Sequence, residues 1–103
     1  MKKKIKENLV SCINLTEQMN ICFYQQNNDS GYQLLNTVLG SLLNVIEELT
    51  YLKNNKIVSV DIESINKILE SALQALESHD TVLFADIMQF EIIDLLKNID
   101  KEL

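Results

Sequence analysis

The chain has 103 residues, 47% of them hydrophobic, and a net charge of −6; its nine basic residues are all lysine. This is enough apolar content for one folded domain (residues 1–103) with one core, and too much for a disordered chain. Without arginine, an acidic chain lacks the planar fork that reads phosphate and guanine, so no nucleic-acid partner is expected.

Proline and tryptophan are absent, and the only glycines are Gly31 and Gly40. Glycine and proline punctuate β-rich and loop-rich folds, so their scarcity predicts long uninterrupted helices. The bias toward Lys, Asn and Ile suits an AT-rich bacterial genome. The basic head MKKKIK opens like a signal peptide, but Asn8, Ser11, Asn14 and Thr16 interrupt the apolar core that such a peptide needs. No apolar run approaches the roughly 18–20 residues of a membrane span. A cytoplasmic protein without a membrane span is expected. The lysine head reads as a solvated terminus, since so few lysines make a weak hold on anionic lipid.

Hydrophobic periodicity then predicts four helices. The first covers residues 4–24, with Ile5, Leu9, Cys12, Leu15, Met19, Cys22 and Phe23 on one arc and Val10 and Ile21 outside it. The second is capped by Asp29 or Ser30 and runs to about residue 53. Its apolar side runs from Leu34 through Val38, Leu42, Val45 and Leu49 to Leu52. After the break NNKIVSVD, Ser59 is the expected cap of the third helix, whose buried side includes Ile62, Ile65, Ile68, Leu69, Ala72, Leu73 and Leu76. Asp80 or Ser78 caps the fourth, which runs nearly to Leu103. Phe84, Ala85, Met88, Ile92, Leu95, Leu96, Ile99 and Leu103 lie within about 120° of arc there and serve as its core stripe. Four amphipathic helices with short connections predict an all-α, antiparallel up-down-up-down four-helix bundle. The alternative is a pair of helical hairpins that completes its core by dimerising.

No catalytic constellation emerges. Cys12 and Cys22 lie about 15 Å apart along one helix, too far to bridge, and read as two buried thiols. His79 is the single histidine, so neither a histidine-rich metal site nor a Glu-x-x-His bundle site can form. No glycine-rich phosphate loop is present. Asp86 and Glu91 point about 140° apart on a regular helix. No enzyme activity, metal or cofactor is expected. What the fourth helix leaves unexplained is a second apolar strip, Leu83, Ile87 and Phe90 with Val82 and Ile93 nearby, set among Asp86 and Asp94. An apolar strip with a polar rim marks a contact surface, so Leu83, Ile87, Phe90, Asp86 and Asp94 are the candidate partner-binding residues.

Two resemblances bear on function. LTEQ (Leu15–Gln18) and the later set Ala75, Leu76, Asp80, Val82, Leu83, Ala85, Asp86 and Glu91 resemble a family of small uncharacterised helical proteins of low-GC Gram-positive bacteria. That resemblance implies a link to motility or surface glycosylation. The stretch INLTEQMNICFYQQNNDSGYQLLNTVLGSLLNVIEEL, covering the first two helices, is similar to flagellar export chaperones of the FliT and FliS kinds, which hold flagellar subunits. The expected function is a non-catalytic protein-interaction module, a chaperone or adaptor, with a protein partner or self-association. The alternative is a small regulatory or ligand-binding bundle with a pocket near Tyr24, Tyr32 and Tyr51.

Overall fold

The computed structural model describes residues 2–103 as four helical rods and their connections. The rods are α1 (Lys2–Tyr24), α2 (Asn28–Asn54), α3 (Ile62–Glu77) and a fourth made of α4 (Thr81–Ile87), a π-helical turn (Met88–Ile92) and α5 (Ile93–Glu102). Neighbouring rods run antiparallel. Asn8, near the start of α1, donates to Glu48 near the end of α2 at 3.1 Å, and Lys6 pairs with Asp100 of α5 at 3.1 Å. The result is the expected up-down-up-down bundle. Buried residues from all four rods join one cluster, so a core forms without the second copy that paired hairpins would need.

Helix α1 is the shared wall. It packs against α2 on one flank and against the whole fourth rod on the other, while α3 lies on α4 and the π turn and only touches α2. A helix contacted from two sides needs a wider buried face than a single stripe. Ile13, Thr16 and Asn20 are accordingly buried beside Ile5, Leu9, Cys12, Met19 and Phe23. Leu15 and Cys22, placed by periodicity on the apolar arc, are only half-buried, so Cys12 alone is the buried thiol.

The helix ends correct two of the expected caps. Asp61, not Ser59, caps α3: its carboxylate accepts from the Ser64 backbone N–H at 3.1 Å and from the Ser64 hydroxyl at 2.7 Å. Val58 and Val60 are buried, so the chain must first seat both before the helix can begin. Neither Asp29 nor Ser30 caps α2, which begins after Asn27 with no side-chain cap. The Asn27 backbone N–H already closes α1 by bonding Cys22 O at 2.8 Å, so the turn is too short for a separate cap. Asp80 caps α4 as expected, accepting from Leu83 N at 3.0 Å.

Each of the three connections opens with a Schellman closure built on a non-glycine residue at positive φ: Gln26 (59°), Lys56 (60°) and His79 (59°). At the last, His79 N bonds Leu76 O and Asp80 N bonds Ala75 O, both at 2.9 Å. These are the 5→2 and 6→1 bonds that satisfy a helix's last carbonyls.

The fourth rod departs from a straight helical wheel. On such a wheel Ile93 lies about 180° from Phe84, on the solvent side. In the structure Ile93 is buried, 1% exposed, with Phe84, Met88, Ile92, Leu96 and Ile99. The π turn is the cause. Its i→i+5 bonds take up one extra residue, so everything after it is turned back by about 100° relative to a continuous α-helix. That places Ile93 in the core and moves Leu95, expected in the stripe, to a half-buried position.

The glycines play opposite parts. A Cβ on Gly31 would meet ring atoms of Phe23 at 2.6–2.8 Å, whereas a Cβ on Gly40 would meet nothing within 4 Å. The Phe23 ring is fully buried and edge-on to Tyr32 and Phe84, so it has no room to yield. Thermal and urea unfolding should therefore give opposite signs for one substitution. Gly40→Ala stabilises by about 1 kcal/mol through helix propensity; Gly31→Ala destabilises by about 1–2 kcal/mol through overpacking. Deleting Phe90 should restore a continuous α-helix without moving either half of the core stripe, leaving helicity by circular dichroism nearly unchanged and lowering the melting temperature only by what the Asn20–Gln89 hydrogen bond contributes. Deleting Asp94 keeps the π turn but turns Leu96 and Ile99 off the core by about 100°, and the melting transition should collapse.

A candidate protein-docking face on the fourth rod

The outward side of α4 and the π turn carries the residues singled out by periodicity. Phe90 is 69% exposed, the most exposed large hydrophobic among the described residues, and Leu83 is 46% exposed, with Val82 similar. Ile87 is half-buried and leans on the core, so it forms the floor of the strip rather than its crest. Ile93, grouped with the strip on the wheel, belongs to the core for the reason given above. Asp94 and Glu91 are exposed, and Asp86 is half-buried.

Asp86 is held by α1. The Tyr24 hydroxyl donates to its Oδ1 at 2.6 Å. Partial burial, then the hydrogen bond to Asp86 and its negative charge, push the Tyr24 phenol up to about 12. One turn along the seam, Asn20 Nδ2 donates to Gln89 Oε1 at 3.0 Å, and farther on Lys97 lies 3.8 Å from Glu17. Asn20 is fully buried and its Oδ1 has no hydrogen-bond partner, a costly arrangement that makes its bond to Gln89 matter. This seam sets the register of the fourth rod on α1, and with it the direction in which Phe90 points. Gln89 sits in the π turn beside Phe90, so one local irregularity serves both the inward bond and the outward ring.

The lysines are concentrated at one pole of the bundle, among Glu7, Glu47, Glu48, Asp61, Glu63, Asp100 and Glu102. Lys2, Lys3, Lys4 and Lys6 start α1, Lys53 and Lys56 end α2, and Lys97 and Lys101 lie in α5. Antiparallel packing gathers these segments at one pole, and Lys67 lies in the first half of α3. Between Lys67 and Lys97 there is no basic residue except His79, while Glu70, Glu77, Asp80, Asp86, Glu91 and Asp94 are all acidic.

Residues 1–102 match the model of a domain of unknown function, DUF8042. The chain belongs to the DUF8042 family. No curated protein and no solved structure matches it.

Other arrangements do not converge in this DUF8042 chain. His79 is exposed in the α3–α4 turn, and no hydrogen bond joins it to Asp86 or Glu91. Among the described residues no group of three or more His, Cys, Asp or Glu could hold a metal ion, and no helix is long and apolar enough to cross a membrane. Burial pushes the Cys12 thiol up, away from the reactive thiolate. The three tyrosines do not line one pocket. Tyr32 stacks edge-on to Phe23 at 5.3 Å near one pole, while Tyr51 lies about 28 Å farther along α2, in an open groove with Lys4, Ile5, Glu47 and Glu48.

Periodicity found the strip but missed the seam, because Asn20 and Gln89 carry no pattern of their own. The π turn did leave a signal. Phe90 and Ile93 both fall off the straight stripe, and leaving one residue between Met88 and Ile93 out of the count brings Ile93 back onto it.

Because the Tyr24 phenol is raised in the folded chain, its neutral form favours folding. That contribution is complete below about pH 10 and is lost as pH rises toward 12. Tyr24→Phe should remove the most alkaline step from the absorbance titration at tyrosinate wavelengths, and should lessen the loss of stability between those pH values relative to the parent chain.

Proposed function

We propose that this chain is a non-catalytic, cytoplasmic interaction module that docks a protein partner on the outer face of α4 and the π turn. The observation that carries the reading is Phe90. The bundle could close its core with a continuous α-helix one residue shorter, yet it keeps a π turn whose extra residue holds a large aromatic ring 69% exposed. Exposed aromatic anchors set in a polar rim are what protein-protein contacts are built on, and π turns concentrate at functional positions.

Phe90 is the anchor, Leu83 and Val82 extend the apolar contact, and Ile87 supports them from below. Asp86 and Asp94 form the rim and contribute orientation more than affinity. In concrete form the module is a chaperone or adaptor linked to motility or the cell surface in a low-GC Gram-positive bacterium, of the kind represented by FliT- and FliS-type export chaperones. Its small size, its all-helical build and one exposed face on a self-sufficient core support that form.

The test is site-specific photocrosslinking in the native host, with a benzophenone amino acid at position 90 and a control at exposed Asn44 of α2. A defined adduct, identified by mass spectrometry, should appear at position 90 and not at position 44, and should be lost when Leu83→Ser is added. Adducts equal at both positions, or none at position 90, would refute the docking role.

A further inference from the structure

We propose that the occupant of this face is a cationic amphipathic helix of a partner protein, presenting apolar residues every three or four positions flanked by lysine or arginine. The inference rests on the docking role above and goes further by assigning the chemistry of the partner.

Three observations carry it. First, the face is the side of a helix, and the described residues contain no strand whose edge could accept an extended peptide. Val82, Leu83 and Phe90, with Ile87 beneath, span about 12 Å along the axis, the reach of two to three helical turns laid alongside. Second, the rim is uncompensated. Glu91, Asp94 and Asp86 take part in none of the ion pairs of the described residues, which join Lys6 to Asp100, Lys67 to Glu63 and Lys97 to Glu17. No lysine or arginine lies between Lys67 and Lys97, and Lys97, one turn past Asp94, is turned to Glu17 at 3.8 Å. A cationic helix relieves this field, whereas an acidic one adds like-charge repulsion beside an apolar contact. Third, the chain is a poor source of such a helix for another copy of itself: its densest lysine run, Lys2 to Lys6, surrounds buried Ile5, and the open groove beside it offers only exposed Val10 and half-buried Leu15, with the acid Glu7 among them.

The experiment uses the full chain, isotopically labelled for amide NMR, and three synthetic amphipathic helices of about five turns. All three share one leucine spacing and differ only in the polar residue: lysine, glutamine or glutamate. The lysine peptide should bind, with its largest shifts confined to residues 80–94, and should weaken as salt is raised. Affinity should fall at least tenfold for Phe90→Ser and severalfold for the pair Glu91→Gln, Asp94→Asn, whose exposed positions leave the fold intact by circular dichroism. The glutamate peptide should not bind. If the glutamine peptide binds this face as tightly as the lysine peptide, the charge assignment is overturned while the docking role stands. Shifts centred elsewhere, failure of the lysine peptide to bind, or indifference to the Glu91 and Asp94 changes also overturn it. Sedimentation from micromolar to millimolar concentration closes the remaining route. A constant monomer mass is expected; self-association abolished by Phe90→Ser would make the occupant a second copy and overturn the proposal.

Discussion

One aromatic ring holds three helices at a single point. Phe23 of α1 lies where Gly31 of α2 has no side chain, and it meets Tyr32 and Phe84 edge-on with ring centroids 5.3 and 5.7 Å away. Each edge-to-face pair is worth about 0.5–1.5 kcal/mol beyond the area it buries. More important is the geometry. The contact fixes how closely α1 and α2 approach at the pole where their turn lies, and it seats the start of α4 against both. From that point the rods run toward the opposite pole with α1 between its two neighbours, so every later contact inherits its position.

With α1 shared, the fourth rod has to satisfy two demands that a regular helix cannot meet together. Phe84 and Met88 must enter the core near the Phe23 pole, and Ile93, Leu96 and Ile99 must enter it toward the other. On a regular helix Phe84, Met88, Leu96 and Ile99 share one stripe, but Ile93 lies about 180° from Phe84, on the solvent side. The π turn absorbs the difference. It also turns Gln89 toward the buried Asn20 and leaves Phe90 outside. The inward amide pair makes the register costly to change, because breaking it would strand a second polar atom in a dry place. The exposed ring is thus held in a definite direction by a buried network.

The distribution of charge adds a second asymmetry. Antiparallel packing of four rods gathers the lysines at one pole, where Glu7, Glu47, Glu48, Asp61, Glu63, Asp100 and Glu102 offset most of their charge, and leaves the outer side of α4 and the π turn with acids alone. The apolar strip falls within the acidic flank, so the same surface offers both hydrophobic contact and a negative field. The packed interior holds that surface in a fixed direction.

The amino-acid sequence by itself determined the number of helices, their lengths to within a few residues, the antiparallel bundle and the apolar faces of α2 and α3, except that Leu73, expected on the buried side of α3, is 41% exposed. These follow from local periodicity and from the scarcity of glycine and proline, which act over a few residues at a time. It also singled out Leu83, Ile87 and Phe90 as apolar residues without a place in the stripe. The caps at Asn27 and Asp61 were decided by where Val58, Val60 and the α1 closure had to sit. The turns at Gln26, Lys56 and His79 carry no glycine to announce them. Only the tertiary structure decided that α1 is buried on two sides, that Asn20 pairs with Gln89, and that Ile93 belongs to the core while Phe90 does not. The reason is physical: a helical wheel assumes a constant angle per residue, and that constant gives way where packing between rods rewards one extra residue in a turn.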